Sequence, residues 1–246
     1  MLVSNILLNK VLPKFGNSVE ECEDSFSIKK TKQFLKIAIS DGATESSFAK
    51  EWADILVKEL VTLSDMSGKK LIAKLPKLRE KWLAEVMKKP LPWYAEAKLE
   101  KGAFSTILCL KLDYKKQSYD CIAIGDCCLF HIRGEVLISS FPVQHASTFS
   151  NNPFLLSTRS DDDAILKDYI EEVKSQIIEK EDCLFIMSDA LSHWFMKECE
   201  EGERPWEILI GLSEDSDAAF EDWLVELRKS KEIKNDDTTL TIIKVE

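Results

Sequence analysis

The sequence predicts an α+β fold, in which antiparallel strands are interrupted by helices. Several segments alternate apolar and polar residues, as half-buried strands do, whereas others repeat apolar residues with the period of a helix. Regular strand–helix–strand alternation is missing, which argues against a parallel sheet.

The N-terminal third begins with extended segments and continues into a helix. Strands are predicted over 25–28 and 34–40, and the short basic turn between them indicates a hairpin. Apolar side chains at helical spacing then predict a helix over 48–60, with Ser46 or Ser47 as its N-cap.

The middle of the chain changes from helical to strand periodicity. A second helix is predicted over 71–86, and Pro76 should kink or split it because proline has no amide hydrogen. Residues 89–101 are predicted to form a loop. Short strands separated by turn residues then predict an antiparallel meander. These strands are expected over 103–112, 118–124, 128–132 and 135–140.

The last part of the chain returns to mixed periodicity after a polar, irregular stretch over 144–163. A buried strand, two helices and a closing strand are predicted there. They are expected over 183–188, near 191–200, near 217–230 and over 239–245.

Length and charge narrow the classes of function. With 246 residues, 45% of them hydrophobic, the chain can bury a core of its own, and we expect a single domain over 1–246. The formal net charge of −10 repels a phosphate backbone, so no nucleic-acid partner is expected. Because no segment approaches the ~18 apolar residues of a membrane span, we expect a soluble, cytoplasmic protein without a membrane partner. A monomer is also expected.

The seven cysteines are expected to be reduced thiols, because their number is odd and no export signal accompanies them. Cys127 and Cys128 are adjacent and lack the C-x-x-C spacing of zinc and redox motifs.

Acidic residues recur where the predicted strands begin or end. They are Glu23, Asp24, Asp41, Asp126, Asp189, Asp236 and Asp237. Since strand ends of layered sheets converge on an edge, these carboxylates can meet although they are far apart in the sequence. Mg²⁺ and Mn²⁺ bind such oxygen ligands, and a pair of these ions can activate a water and clamp a phosphoryl group. Taken singly, each aspartate is more typical of a cap, a turn or a solvated position than of a metal ligand, and Asp189 is equally typical of an N-cap.

Six short motifs are arranged in the order in which one enzyme family has them. They are E-D-S-F, I-S-D-G, G-A-F-S-T, A-I-G-D, F-I-M-S-D-A and N-D-D-T-T-L, within residues 16–244. The ordered set resembles the metal-dependent protein phosphatases of the PP2C, or PPM, family, and in particular their bacterial branch. The resemblance implies a PP2C-like four-layer α/β/β/α sandwich of two antiparallel sheets flanked by helices.

The resemblance also implies a role for each acidic position. Asp41 corresponds to a carboxylate that bridges two ions, and Glu23 and Asp237 correspond to residues that support the ligands. The implied cofactors are two Mg²⁺ or Mn²⁺ ions, with room for a third. The implied metal ligands are Asp24, Asp41, the carbonyl of Gly42, Asp189, Asp236 and, for an additional ion, Asp126.

Several positions depart from the family pattern. Val19 stands where many relatives have a phosphate-binding arginine, and Ala43 replaces a histidine that protonates the leaving group. His193 stands where relatives often carry another aspartate, four residues after Asp189 and so on the same side of a helix. Asp41 and His193 are therefore the expected catalytic residues, with His193 as proton donor or third-metal ligand, although a structural histidine is equally typical.

The sequence thus favours a phosphatase that hydrolyses phosphoserine or phosphothreonine in proteins through a metal-activated water. A phosphorylated protein is the expected substrate, and a cognate kinase is a further expected partner. Two alternatives stay open. One is a catalytically weak binding or regulatory module of the same fold, which Val19 and Ala43 favour, and the other is a small-molecule phosphatase with the same metal chemistry.

Overall fold

The computed structural model describes residues 2–88, 99–150, 152–216 and 218–246. Within these ranges, the strands form two five-stranded antiparallel sheets and one two-stranded sheet, and helices flank the larger sheets. The α+β prediction of two antiparallel sheets flanked by helices is confirmed.

The secondary structure elements are numbered in chain order. The strands are β1 Ser4–Leu12, β2 Ser25–Lys30, β3 Phe34–Ser40, β4 Phe104–Ser105, β5 Ile107–Asp113, β6 Ser118–Ile124, β7 Cys128–Arg133, β8 Val136–Phe141, β9 Leu156–Ser157, β10 Glu171–Ile177, β11 Cys183–Met187 and β12 Thr238–Val245. The α-helices are α1 Ala49–Leu60, α2 Gly68–Val86, α3 Asp163–Leu166, α4 Asp189–Glu200, α5 Pro205–Glu214 and α6 Ala219–Ser230.

The chain divides into two compact units, each assembled from separate stretches. Unit 1 comprises Met1–Cys22, Asp126–Pro153 and Ile178–Glu246, and unit 2 comprises Glu23–Gly125 and Phe154–Ile177. The expectation of a single domain over 1–246 stays a prediction.

Unit 1 contains the sheet with strand order β1-β12-β11-β7-β8. Helix α4 contacts β12 and α5, and α5 contacts α6, so the helices cover an apolar face of this sheet. The core between them includes Phe130 and Phe185 from the strands and Phe195 from α4, each without exposed surface. These aromatic side chains bury large apolar areas and hold the helices on the sheet.

Unit 2 contains the sheet with strand order β10-β6-β5-β3-β2. Helix α1 packs on β2, β3 and β5, and α2 packs on α1. Trp52, Leu56 and Leu60 recur at helical spacing along α1 and are buried, which is why this stretch folds as a helix against the sheet. The predicted hairpin over 25–40 is confirmed by the antiparallel pairing of β2 with β3.

The predicted meander is wrong, because its strands belong to different sheets. β5 and β6 pair in unit 2, whereas β7 and β8 pair in unit 1. Gly125 lies between β6 and β7 with φ of +91°, a backbone conformation that glycine adopts without strain. The chain therefore leaves one sheet at this residue and does not make a hairpin turn.

The predicted N-cap of the first helix is also wrong. Phe48, in the left-handed conformation, is the N-cap of α1, and Ser46 instead donates its hydroxyl to the carbonyl of Ala43 at 2.9 Å. Pro76 does not split α2, which is continuous from Gly68 to Val86. Most of the predicted loop over 89–101 lies outside the described residues.

Several elements were not predicted from the sequence. They are β1, β9, β10, α3 and α5. The strand predicted over 103–112 is divided into β4 and β5. Strand β10 is mostly exposed and lies at a sheet edge, so its sequence lacks the apolar alternation that marks half-buried strands. The segment 144–163, expected to be irregular, contains β9 and the start of α3.

A buried ionic cluster lies at the start of β11 in unit 1. Asp182 has no exposed surface, and its Oδ2 atom is 2.8 Å from Nε2 of His131. Arg133 donates to both carboxylate oxygens at 2.8 Å, and the backbone N–H of Glu179 donates at 2.7 Å. Burial alone would raise the pKa of Asp182, but these hydrogen bonds outweigh burial and lower the pKa.

Within the described ranges, every helix is too short or too polar to cross a membrane. All seven cysteines are free thiols.

Candidate metal centre

The hairpin of unit 2 brings two of the predicted metal ligands together. Ser25 of β2 pairs with Ser40 of β3, and Asp24 and Asp41 are the residues next to this pair along each strand. Because opposite residues such as Ser25 and Ser40 have Cα atoms about 5 Å apart, Asp24 and Asp41 extend from neighbouring parts of the backbone. Asp24 is buried and Asp41 is half-buried, so this end of the hairpin is partly withdrawn from water.

Hydrogen bonds fix the backbone of Asp41. Its N–H donates to Oγ1 of Thr106 at 3.0 Å, and its carbonyl accepts from the N–H of Thr106 at 2.9 Å and from the hydroxyl of Ser105 at 2.6 Å. The N–H of Ala43 donates to the carbonyl of Phe104 at 2.9 Å. The G-A-F-S-T motif therefore anchors the corner that carries Asp41.

The residue after Asp41 is a glycine at a place where the chain is crowded. A Cβ atom on Gly42 would lie 3.1 Å from the carbonyl oxygen of Glu23 and 3.1 Å from both the carbonyl carbon and the Cβ of Ala49. Since the carbonyl groups belong to the backbone, they cannot move aside as a flexible side chain would. Gly42 thus permits the close approach of the segment that carries Glu23 and Asp24.

In unit 1, three further acidic residues lie at the same end of three neighbouring strands. Strand β11 lies between β7 and β12 and is antiparallel to both, so the end of β11 lies beside the starts of its neighbours. Asp189 follows β11, Asp126 precedes β7 and Asp236 precedes β12. Ser188, and not Asp189, is the N-cap residue of α4, so the carboxylate of Asp189 lies in the first turn.

A lysine lies among these carboxylates. The Nζ atom of Lys234 is 2.6 Å from Oδ2 of Asp236 and 3.4 Å from Oδ2 of Asp189. Burial would lower the pKa of Lys234, but the hydrogen bonds and negative charges of Asp236 and Asp189 outweigh it and raise the pKa.

The electrostatics of the cluster disfavour further negative charge. Burial, followed by the charges of Asp189 and Asp236, raises the pKa of Asp126 to about 7. Burial and the charge of Asp236 also raise the pKa of Asp189, against the opposing effect of Lys234. A nearby cation lowers the free energy of ionised carboxylates in such surroundings.

A cavity of about 210 Å³ adjoins these carboxylates within unit 1. It is lined by Asp126, Phe149, Ser150, Asp189, Ala190, His193 and Lys234. The ring of His193 packs edge-on against that of Phe149, with centroids 5.4 Å apart. The predicted placement of His193 on the same side of the helix as Asp189 agrees with this lining.

Arg228 and Asp237 support the segment that carries Asp236. Arg228, on α6, donates to the carbonyl of Asp236 at 2.5 Å and to Oγ1 of Thr238 at 3.0 Å. The N–H of Asp237 donates to Oδ1 of Asp236 at 3.0 Å, and the carboxylate of Asp237 accepts the N–H of Lys14 at 2.8 Å. Arg228 and Lys234 are not among the residues predicted from the sequence, where the only signal is the position of Lys234 two residues before Asp236.

The carboxylate oxygens of this cluster are the type of ligand that a hard divalent ion prefers. Across the described ranges, no group of three or more His, Cys, Asp or Glu side chains is arranged to hold a metal ion by itself. The cluster of unit 1 nevertheless offers carboxylate oxygens, which Mg²⁺ and Mn²⁺ prefer, and it already binds one cation, the ammonium group of Lys234.

Solved structures with a similar fold cover almost the whole chain. The serine/threonine phosphatase of S. agalactiae superposes with a TM-score of 0.63 at 13% identity, over 100% of both chains. The catalytic domain of the phosphatase PstP in complex with two manganese ions superposes with a TM-score of 0.57 at 15% identity, over 100% of this chain and 99% of that chain. The serine/threonine phosphatase PstP/Ppp of Mycobacterium tuberculosis superposes with a TM-score of 0.56 at 16% identity, over 99% of this chain and 98% of that chain. Likeness at these identities concerns the fold alone.

The sequence itself carries the family assignment. The profile of protein phosphatase 2C matches residues 17–231, so the protein is by class a phosphatase. The chain belongs to the protein phosphatase 2C family. The matched residues include the predicted positions from Glu23 to His193 and end before Asp236. A comparison with curated proteins finds no match.

Proposed function

We propose that this protein hydrolyses phosphoserine and phosphothreonine in proteins with the help of two Mg²⁺ or Mn²⁺ ions. The observation that carries the proposal is the gathering of Asp126, Asp189 and Asp236 at the ends of three neighbouring strands of a chain that belongs to the protein phosphatase 2C family. The proposed ligands are Asp24, Asp41, Gly42, Asp189 and Asp236, with Asp126 serving an additional ion.

The bound ions would supply positive charge that activates a water molecule and neutralises the phosphoryl group. Other residues of the chain hold in place the carboxylates that would bind these ions. The hydrogen bonds between the backbone of Asp41 and Ser105 and Thr106 fix the corner that carries one carboxylate, and Arg228 fixes the segment of Asp236. Such fixed positions reduce the reorganisation needed during reaction.

A catalytically weak module of the same fold is the second candidate. Val19, at the position of the phosphate-binding arginine, is 71% exposed and offers the phosphate no charge. Without this arginine, the bound ions would be the main source of positive charge for the substrate phosphate. Binding of a small aryl phosphate should then be weak, so its Michaelis constant should be high.

Phosphate release separates these candidates. The purified protein should release phosphate from p-nitrophenyl phosphate and from a phosphothreonine peptide with millimolar Mn²⁺, and should lose that activity in excess EDTA because the proposed site needs the ions. Activity should return when Mn²⁺ is added beyond the chelator. No release from either substrate would favour the binding module, and release from small phosphates alone would favour a small-molecule phosphatase.

His193 is proposed as the proton donor to the leaving group, since it lines the same cavity as Asp126 and Asp189. His193→Ala should lower turnover of the phosphothreonine peptide by about 100-fold. Turnover of p-nitrophenyl phosphate should fall much less, because nitrophenolate leaves without a proton. Steady-state kinetics on both substrates measures the difference.

His145→Ala is the matched control, because His145 is an exposed histidine of the same unit, paired with Glu200 at 3.4 Å. It should leave both activities unchanged. Equal losses on both substrates in His193→Ala would assign a metal-binding or structural role to His193 instead.

We further propose that the protein is a monomer of the cytoplasm and that a cognate kinase phosphorylates its substrate. The free state of all seven cysteines supports a reducing compartment. The formal net charge of −10 makes nucleic acid an unfavourable partner.

A further inference from the structure

Lys234 forms the closest cationic contact of the carboxylate cluster in unit 1. Its ammonium group touches Asp236 at 2.6 Å and Asp189 at 3.4 Å, through the Oδ2 atom of each. The side chains of Asp189 and Asp236 are only 19% and 25% exposed, so this pair of carboxylates is partly withdrawn from water. An ammonium group at this distance lowers the free energy of such a pair.

The same oxygen atoms cannot serve Lys234 and a divalent ion equally well. A hydrogen bond to an ammonium group uses a lone pair that a metal ligand needs, and the two cations repel each other at such short range. The Lys234 side chain is 59% exposed, and its four-carbon stem is flexible. It can therefore move into solvent without any displacement of the backbone.

We propose that Lys234 is a built-in counter-cation of Asp189 and Asp236, which stabilises the metal-free protein and must be displaced when a divalent ion binds. The inference rests on the proposed function, because it takes Asp189 and Asp236 as metal ligands. It adds a consequence specific to this chain: metal affinity is weakened by a residue of the protein itself, and the metal-free fold remains stable.

Removing the charge should have opposite effects on the two states. In Lys234→Met, the carboxylates of Asp126, Asp189 and Asp236 lose their neighbouring cation, so Mn²⁺ should bind about tenfold to 100-fold more tightly. The melting temperature in EDTA should fall below that of the wild type, and the rise in melting temperature on adding Mn²⁺ should be larger.

Two further variants separate charge from other effects. Lys234→Arg keeps the positive charge and should keep metal affinity near that of the wild type. Lys229→Met removes an exposed lysine of the same unit that pairs with Glu226 at 2.8 Å, and it should change neither quantity.

Calorimetric titration with Mn²⁺ and thermal unfolding in EDTA test the proposal. Tighter Mn²⁺ binding and a lower metal-free melting temperature in Lys234→Met, but not in Lys234→Arg, support it. If the wild type binds Mn²⁺ and Lys234→Met binds it equally well, the counter-cation role is wrong while the proposed function stands. If the wild type binds no Mn²⁺ at millimolar concentration, both the role and the proposed function are wrong.

Discussion

Asp41→Asn should reduce Mn²⁺-dependent phosphate release by more than about 100-fold, beyond the loss typical of residues that only orient a metal ligand. The substitution keeps the size of the side chain and replaces one carboxylate oxygen by a neutral amide. Since the backbone of Asp41 is held by Ser105 and Thr106, the fold should tolerate the change and only the site should suffer. Initial rates with p-nitrophenyl phosphate, together with circular dichroism, check both expectations.

The matched control is Asp120→Asn, which also replaces a half-buried aspartate of unit 2. Asp120 lies on β6, where its carboxylate accepts the N–H of Ser175 at 2.8 Å, and it has no proposed role in the reaction. Its variant should keep normal activity. Near-normal activity in Asp41→Asn would mean that the family resemblance assigns the wrong role to its central residue.

The sequence predicts those parts of the site that lie on strands adjacent in the chain. Asp41 and Gly42 terminate a strand whose hairpin partner begins just after Asp24, so a correct register was enough to bring these residues together. For Asp126 and Asp189 the sequence indicated only that each lies at a strand end. Their meeting depends on β11 lying next to β7, and a strand order of this kind is not encoded in local periodicity.

The missed features depend on contacts that are distant in sequence or on weak local patterns. Arg228 reaches the carbonyls of Pro13 and Asp236 from a helix, and a single arginine on an amphipathic helix resembles any other surface cation in the sequence. The meander was wrongly predicted because the strands before and after Gly125 have the same period of two, which does not say to which sheet a strand belongs.

The second large effect concerns stability and needs no metal. Asp182→Asn should lower the free energy of unfolding by about 3 kcal/mol at neutral pH, because it removes the buried negative charge that pairs with Arg133 and His131. The exposed partner substitution Glu179→Gln is the control and should cost under about 1 kcal/mol, since Glu179 meets Arg133 at the surface. Urea unfolding followed by circular dichroism measures both.

The pH dependence of that difference identifies the charge of Asp182 as its cause. The folded protein holds the pKa of Asp182 below its ordinary value, so the stabilisation is present above the unfolded pKa of about 4 and is lost as the pH falls through the lower folded value. The amide that replaces the carboxylate in Asp182→Asn has no proton to gain, so we expect the gap between wild type and variant to be widest near pH 7 and to narrow below about pH 4. A gap that stays constant down to about pH 2 would indicate that shape and hydrogen bonding, and not charge, make Asp182 stabilising.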